Sequence, residues 1–144
     1  MEVLYIEDDE ADVDFVRTVL NDLGYNDFNI TVVEDGEEAI KFLTKEGPYA
    51  KVISPDLILL DLNLPKINGK EILKHIKRSA NLKNIPVIIF STSGVQEEVD
   101  ETYQLGSSGY FKKPNTYEGY KKIFGAIYAY WTANALLPSK NHRF

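Results

Sequence analysis

The sequence predicts an α/β fold, a doubly wound sheet of five parallel strands that alternate with five helices. Short apolar runs recur along the chain, and the stretches between them place apolar residues at helical spacing. The strands are predicted at residues 3–6, 28–33, 57–60, 86–90 and 109–111. Five strand–helix units in succession, (βα)5, are typical of a parallel sheet with right-handed crossovers.

The third predicted strand is the element around which the other strands are arranged. It is a continuous apolar run, Leu57–Leu60, which follows Pro55 and ends at Asp61. A run without alternation is typical of a strand buried on both faces. Asp61 then lies at the carboxyl end of the strand, the edge where open α/β sheets bind ligands. Because an unpaired buried carboxylate is costly, Asp61 needs a cation or a hydrogen-bond donor beside it.

Polar residues predict where the first three helices begin. Asp9 is suited to cap the first helix, and Glu10 and Asp12 lie in its first turn, where the helix dipole favours acids. Asp35 precedes the second helix and Asn68 precedes the third.

The last two helices differ in their apolar content. The fourth, at about residues 95–103, is polar and offers chiefly Val99 for burial. The fifth begins near Asn115 or Thr116 and is expected to extend to about Pro138. Its predicted buried stripe consists of Tyr120, Ile123, Phe124, Ile127, Tyr128 and Trp131.

The composition excludes several classes of protein. A length of 144 residues suits one compact domain. A formal charge of −6 and a pI near 4.9 argue against nucleic-acid binding, which needs a basic face. With no cysteine, the chain has no disulfide, thiolate metal site or cysteine nucleophile. The apolar runs are far short of a membrane span and no signal peptide precedes the first strand, so we expect a soluble, cytoplasmic protein.

Chemically useful side chains follow four of the predicted strands. Glu7 and Asp8 follow the first, Asp61 the third, Ser91 the fourth and Lys113 the fifth. The carboxyl ends of parallel strands meet at one edge, so three carboxylates, a hydroxyl and an ammonium are expected to converge there. Clustered carboxylates repel one another, and Mg²⁺ is suited to relieve that repulsion while leaving coordination positions open for a phosphate. The sequence therefore predicts a magnesium site.

Each of these residues alone also has an ordinary interpretation. A lone acid after a strand is more often a helix cap, which is the interpretation we favour for Asp9. Ser91 alone would be a turn residue, and Lys113 alone a surface charge. Their joint occurrence at four strand ends favours a shared site.

With these residues the chain resembles the receiver domain of two-component response regulators over essentially its whole length. The matching residues are the acidic pair Glu7-Asp8, the phosphoacceptor Asp61, the hydroxyl residue Ser91, the aromatic Tyr110 and the pair Lys113-Pro114. The resemblance implies a flavodoxin-like fold with strand order 2-1-3-4-5 and a single receiver domain, residues 1–144, with an extended C-terminal helix. It also implies a cis Lys113–Pro114 bond. Glu7 departs from the family, in which aspartate is frequent at this position.

The same resemblance implies roles for the residues that bind metal. Asp61 would accept a phosphoryl group from a phosphohistidine of a sensor histidine kinase. Asp8 and Asp61 would bind Mg²⁺ directly, Glu7 through water, and Asn63 through its backbone carbonyl. Phosphoryl transfer depends mainly on positioning and charge neutralisation, which fits such a site.

The remaining matched residues would respond to phosphorylation. Lys113 would pair with Asp61 before the transfer and with a phosphoryl oxygen afterwards. Ser91 would bind another phosphoryl oxygen, and its movement would let Tyr110 turn into the core. The protein would then be a phosphoacceptor switch and not a turnover enzyme.

The final helix also suggests a partner surface. Its aromatic residues exceed what one buried stripe holds: Tyr117, Tyr120, Tyr128, Tyr130 and Trp131. They either fill the core or form an interface, and the sequence favours neither. The extended segment 126–138, the loop Leu62-Asn63-Leu64-Pro65 and the insert at 49–55 resemble those of the stand-alone regulators paired with bacterial phytochrome-type histidine kinases. Those regulators commonly dimerise through the fourth helix, fifth strand and fifth helix, so we expect a homodimer.

Two other functional classes stay open. An aspartate-nucleophile phosphatase also uses an acid and magnesium, but it needs Asp-x-Asp after its first strand, whereas this chain has Asp61-Leu62-Asn63 after the third. A phosphorylation-independent scaffold usually lacks an acid, the hydroxyl or the lysine. His75 and His142 lack the neighbouring acid or amide of a phosphohistidine site, and we expect no function for them.

Overall fold

The computed structural model describes residues 1–139, which contain one sheet of five parallel strands. The strands are β1 (Glu2–Ile6), β2 (Asn29–Val33), β3 (Leu57–Leu60), β4 (Val87–Ser91) and β5 (Gly109–Lys112). Their order across the sheet is β2-β1-β3-β4-β5, and each adjacent pair is parallel. The predicted fold class and strand order are therefore confirmed.

Four α-helices connect the strands of residues 1–139 and a fifth follows β5, and together they cover both faces of the sheet. They are α1 (Glu10–Asp22), α2 (Gly36–Leu43), α3 (Gly69–Arg78), α4 (Gln96–Gln104) and α5 (Tyr117–Tyr128). A 3-10 turn at Gly47–Tyr49 follows α2, and a π-helical segment at Ala129–Asn134 continues α5. Within residues 1–139, no helix combines the length and the apolar character that crossing a bilayer requires.

Strand β3 lies at the centre of the three layers. All four of its residues are 0% exposed. Ile58 and Leu60 pack with α2 and α3 on one face of the sheet, whereas Leu57 and Leu59 pack with α1 and α5 on the other. Because successive strand side chains point to opposite faces, only an unbroken apolar run can fill both cores. This burial fixes the backbone position from which Asp61 emerges.

Two helices differ in detail from the sequence prediction. The buried residue of α4 is Thr102, and Val99 is only half-buried. The Thr102 hydroxyl donates to the Val99 carbonyl at 2.8 Å, so it needs no partner outside the helix when it packs inward. The last helix ends at Asn134, short of Pro138, after widening into π geometry in which the Ala135 N–H donates to the Tyr130 carbonyl at 2.7 Å.

The expected cis bond between Lys113 and Pro114 is wrong for this structure. No cis peptide bond occurs within residues 1–139. The trans form of an X–Pro bond is intrinsically favoured by about 0.5–1 kcal/mol. The Lys113 backbone is held instead by its N–H, which donates to the Ser91 carbonyl at 2.7 Å.

Helix α3 begins in direct contact with the backbone of Asp61. A Cβ atom on Gly69, the first residue of α3, would lie 2.4 Å from the Asp61 carbonyl oxygen and 2.6 Å from the Leu62 Cα. The Gly69 N–H donates to the Leu62 carbonyl at 3.0 Å. A residue without a side chain is therefore required where α3 packs against the end of β3.

We expect Gly69→Ala to lower the free energy of unfolding by about 1–3 kcal/mol, since the new methyl group must displace backbone atoms. Urea denaturation measures the change. Gly125→Ala in α5 is the matched control, because its Cβ would meet only the Tyr25 hydroxyl, at 3.8 Å. Alanine is the better helix former, so this control should be neutral or stabilising by up to about 1 kcal/mol. Equal effects of the two substitutions would contradict the close approach.

Candidate functional site

The predicted site residues meet at the carboxyl edge of the sheet. Glu7 and Asp8 follow β1, Asp61 follows β3, Ser91 is the last residue of β4, and Lys113 follows β5. These strands are neighbours in the order β1-β3-β4-β5, so their ends lie side by side. Asp8 is exposed, whereas the other four residues are buried.

Three acids form a cluster that could hold a metal ion. Glu7, Asp8 and Asp61 each offer a carboxylate oxygen, and these oxygens lie within 4.8 Å of one another. Glu7 is 1% exposed, and its Oε2 atom has no hydrogen-bond partner among the described residues. Hard cations such as Mg²⁺ and Mn²⁺ prefer carboxylate oxygens, so this donor set fits a divalent ion of that class.

Asn63 lies at the rim of this cluster. Its backbone N–H donates to Asp61 Oδ1 at 3.3 Å, and its side chain is exposed. That contact orients the Asp61 carboxylate. The predicted role of the Asn63 carbonyl as a metal ligand stays a prediction.

Lys113 places its ammonium among three carboxylates. Lys113 Nζ lies 2.7 Å from Asp12 Oδ2, 2.8 Å from Glu7 Oε1 and 3.4 Å from Asp61 Oδ2. The predicted neighbourhood of Lys113 and Asp61 is therefore present, although Asp61 is the most distant of the three acids. Lys113 also lies over the Phe90 ring, with Nζ 5.9 Å from the ring centroid.

Burial and neighbouring charges act in opposite directions on the pKa values of Glu7 and Lys113. Burial, together with the neighbouring Asp61 carboxyl, raises the pKa of Glu7 to about 9, although Lys113 opposes both. Burial alone would lower the pKa of Lys113, but its contacts with Asp12, Glu7 and Asp61 raise it above the ordinary value. Lys113 is therefore charged, and Glu7 takes up a proton readily when no cation is bound.

The predicted switch residues lie on β4 and β5, on the opposite side of Asp61 from Glu7 and Asp8. Ser91 is 0% exposed, and its hydroxyl oxygen has no hydrogen-bond partner within residues 1–139. Tyr110 is half-buried, and its hydroxyl donates to the Ser93 carbonyl at 2.7 Å. Ser91 thus presents an unused hydroxyl at the site, and Tyr110 sits between core and solvent.

Asp12 is the residue that sequence reasoning missed. It was assigned to the first turn of α1 as an acid favoured by the helix dipole, yet it makes the shortest contact with Lys113. The available signal was its position, since the first turn of α1 starts at the same edge as the strand ends. Asp9 is the helix cap that was predicted, and its Oδ1 accepts from Ala11 N at 2.9 Å and Asp12 N at 3.3 Å.

His75 does not contribute to the site. His75 is exposed on α3, as predicted, and lines a shallow surface depression with Glu71, Lys74 and Arg78. His142 lies outside the described residues.

The fold and the residues at the carboxyl edge of the sheet define the class of protein. The family model for the response regulator receiver domain matches residues 3–123. The chain belongs to this family. Such domains are the phosphoacceptor modules of two-component systems.

The proteins similar to this chain include a cyanobacterial phytochrome response regulator. The response regulator Rcp1 of Synechocystis is 36% identical over 137 residues, covering 95% of this chain and 92% of Rcp1. The crystal structure of the phosphorylated cyanobacterial phytochrome response regulator RcpA matches with a TM-score of 0.88 and 37% identity, covering 96% of this chain and 98% of RcpA. The Mn²⁺-bound form of Rcp1 matches with a TM-score of 0.86 and 35% identity, covering 96% of this chain and 99% of that one.

We expect Glu7→Gln to stabilise the metal-free protein at pH 8. A folded-state pKa of about 9, against an ordinary value of 4.5, means that the contribution of Glu7 to stability is full below pH 4.5 and is lost as the pH rises towards 9. The loss has a ceiling of about 1.4 kcal/mol for each pH unit in that window. Glutamine has no proton to lose, so the variant should gain most at pH 8 and little at pH 5.

Thermal unfolding in the presence of a chelator measures this difference. Glu34→Gln, an exposed acid that follows β2 at the same edge, is the matched control and should change stability little at either pH. A Glu7→Gln variant that is less stable than the parent at pH 8 would show that Glu7 is held as a charged partner of Lys113.

Proposed function

We propose that this protein is a stand-alone phosphoacceptor switch in which Asp61 receives a phosphoryl group from the phosphohistidine of a sensor histidine kinase. The observation that carries the proposal is the position of Asp61. It is 5% exposed at the end of β3, shares an oxygen cluster with Glu7 and Asp8, and lies 3.4 Å from the Lys113 ammonium. A carboxylate in this position has two further carboxylates with which to bind a metal ion, and the Lys113 ammonium beside it.

The transfer exchanges one bond for another. A carboxylate oxygen of Asp61 forms a P–O bond as the P–N bond of the phosphohistidine breaks, and the electron pair of that bond stays on the imidazole nitrogen. Mg²⁺ held by Glu7, Asp8, Asp61 and the Asn63 carbonyl would supply positive charge for the phosphoryl oxygens. The buried setting and the Asn63 N–H keep the Asp61 carboxylate in one orientation.

Lys113 and Ser91 bind the product of this transfer. The Lys113 ammonium, which faces Asp61 Oδ2, would donate to one phosphoryl oxygen, since it is fully protonated at neutral pH. The unpartnered Ser91 hydroxyl would donate to another. Both contacts are charge-assisted hydrogen bonds, which are stronger than neutral ones.

Tyr110 carries the change to the surface. Movement of Ser91 towards the phosphoryl group would leave space beside Tyr110, which is half-buried and packs against the core under α2 and α3. Tyr110 would then exchange its hydrogen bond to the Ser93 carbonyl for a more buried position. The affected surface is the face formed by α4, β5 and α5.

The α4–β5–α5 face has the composition of an interface. It contains a groove of about 330 Å³ lined by Tyr103, Tyr110, Tyr130 and Trp131 among others. Tyr103 is 51% exposed and Tyr130 is 57% exposed. Other aromatics of the last helix pack internally: Tyr120 is buried, and Tyr128 stacks on Tyr25 at 3.7 Å between ring centroids. The aromatic residues of this helix therefore divide between core and surface.

The similarity to RcpA and Rcp1 supports a phytochrome-type histidine kinase as the partner. We further propose a single receiver domain over residues 1–144, located in the cytoplasm, that acts as its own phosphoacceptor and catalyses no turnover reaction. The Mn²⁺-bound state described for Rcp1 supports a divalent ion, for which we propose Mg²⁺.

Asp61→Asn should abolish phosphorylation. With acetyl phosphate or a phosphorylated histidine kinase and Mg²⁺, mass spectrometry of the parent protein should show one added phosphoryl group that hydroxylamine removes. The variant should show none, because an amide oxygen is too weak a nucleophile. Asp14→Asn, an exposed acid of α1, should be phosphorylated like the parent. Persistent incorporation in Asp61→Asn would refute the assignment of the acceptor.

The exposed aromatics predict a homodimer through the α4–β5–α5 face. Sedimentation velocity at high micromolar concentration should show a dimer for the parent and a monomer for Tyr130→Lys, which places a charge in the groove. Ile53→Lys is the matched control, since Ile53 is 61% exposed but lies before β3, away from this face. A parent protein that stays monomeric, phosphorylated or not, would rule out the dimer.

A further inference from the structure

Asp12 differs from the other acids of the site because it lies in a helix. Glu7, Asp8 and Asp61 follow strands, whereas Asp12 lies in the first turn of α1. Its Oδ2 atom is 2.7 Å from Lys113 Nζ, and its side chain is 27% exposed against 5% for Lys113. A charge-assisted hydrogen bond of this length is a strong contact, and it connects α1 to the residue that follows β5.

Asp12 is also outside the group of acids that could bind a metal ion. Within the described residues, that group consists of Glu7, Asp8 and Asp61. A divalent ion in the cluster would share the charge of Glu7 and Asp61, which are two of the three acids around Lys113. Asp12 would then be the acid whose charge is left entirely to the ammonium.

The number of N–H donors on the Lys113 ammonium matches the number of acids around it. Lys113 has three N–H donors, and three carboxylates accept from them: Glu7, Asp12 and Asp61. The ammonium also lies over the Phe90 ring, with Nζ 5.9 Å from the ring centroid. The donor that faces Asp61 is the one available for a phosphoryl oxygen, provided that another acid keeps the ammonium in place.

We propose that Asp12 is a positioning residue for phosphoryl transfer, which holds the Lys113 ammonium beside Asp61 while Glu7 and Asp61 serve the metal ion. This inference rests on the proposed function. A lysine side chain has many rotamers, and restricting it to one costs conformational entropy. If one fixed partner already holds the side chain in place, this entropy is not lost when the transition state forms. Asp12 acts through Lys113 and does not contact the transferred group.

The first test uses Asp12→Asn and the rate of phosphorylation by acetyl phosphate with Mg²⁺. The asparagine of this variant keeps the shape of the side chain but not its charge, so the rate at saturating donor should fall roughly ten-fold. The donor concentration at half-maximal rate should be unchanged, because positioning acts on the transition state. Asp14→Asn, two residues further along α1, should react like the parent. A faster Asp12→Asn would mean that Asp12 competes for Lys113, and would overturn the proposal.

The second test observes Lys113 directly by NMR of its ¹⁵N-labelled ammonium, whose protons exchange slowly only while they are hydrogen-bonded. In the parent the signal should persist with or without Mg²⁺, and also with Mg²⁺ and beryllium fluoride as a phosphoryl mimic. In Asp12→Asn it should persist without metal and exchange at least several-fold faster with Mg²⁺. A merely structural role would not produce this dependence on metal, and Asp12→Glu should restore part of it.

The two tests separate this inference from the function on which it rests. If Asp12→Asn and the parent show the same ammonium exchange in Mg²⁺ and the same rate, the positioning role is overturned while the acceptor assignment stands. If Asp61→Asn still incorporates phosphate, the proposed function fails, and the ammonium signal still reports whether Asp12 holds Lys113.

Discussion

Lys113 places its ammonium within 3.4 Å of three carboxylates, one after β1, one in α1 and one after β3, and this contact supplies the buried positive charge at the carboxyl edge of the sheet. Glu7 and Asp61 are almost fully buried, and buried carboxylates without a cation beside them would repel each other. One ammonium does not balance these acids together with Asp8. The remaining negative charge is what makes the edge receptive to a divalent ion, at the expense of the stability of the metal-free state.

The backbone around the site has little freedom to move. Asp61 N–H donates to the Ile6 carbonyl at 3.1 Å, and Gly69 packs on the Asp61 carbonyl from the other side. Lys113 is tied to Ser91 through its own N–H. Because strands and helix ends are held in this way, the proposed function requires that a change at Asp61 reach the surface through side chains, such as the half-buried Tyr110.

The sequence predicted the parts of this arrangement that follow from backbone periodicity. Apolar runs located the strands, and the first residues after these runs included Glu7, Asp61, Ser91 and Lys113, which were expected to meet because the carboxyl ends of parallel strands share an edge. The strand order and Tyr110 came from the family resemblance. Asp12 was missed because an acid in the first turn of a helix already has a sufficient local explanation. Its direction is set by how α1 packs on the sheet, which periodicity does not contain.

Three other differences concern local hydrogen bonding and backbone geometry, which a hydropathy pattern does not contain. Thr102 is buried because its hydroxyl is satisfied within α4, an option that a hydropathy pattern does not reveal. The peptide bond before Pro114 is trans, against the expectation from the family. The π-helical continuation of α5 depends on backbone hydrogen bonds that no residue type specifies on its own.

The pairing of Lys113 has a consequence for how the protein is made. Its partners Glu7, Asp12 and Asp61 precede it by 106, 101 and 52 positions. A nascent chain that has left the ribosome only as far as α4 therefore contains every acid of the site but not the buried cation that they share. The acids at the carboxyl edge therefore lack this cation until residue 113, directly after β5, has been synthesised.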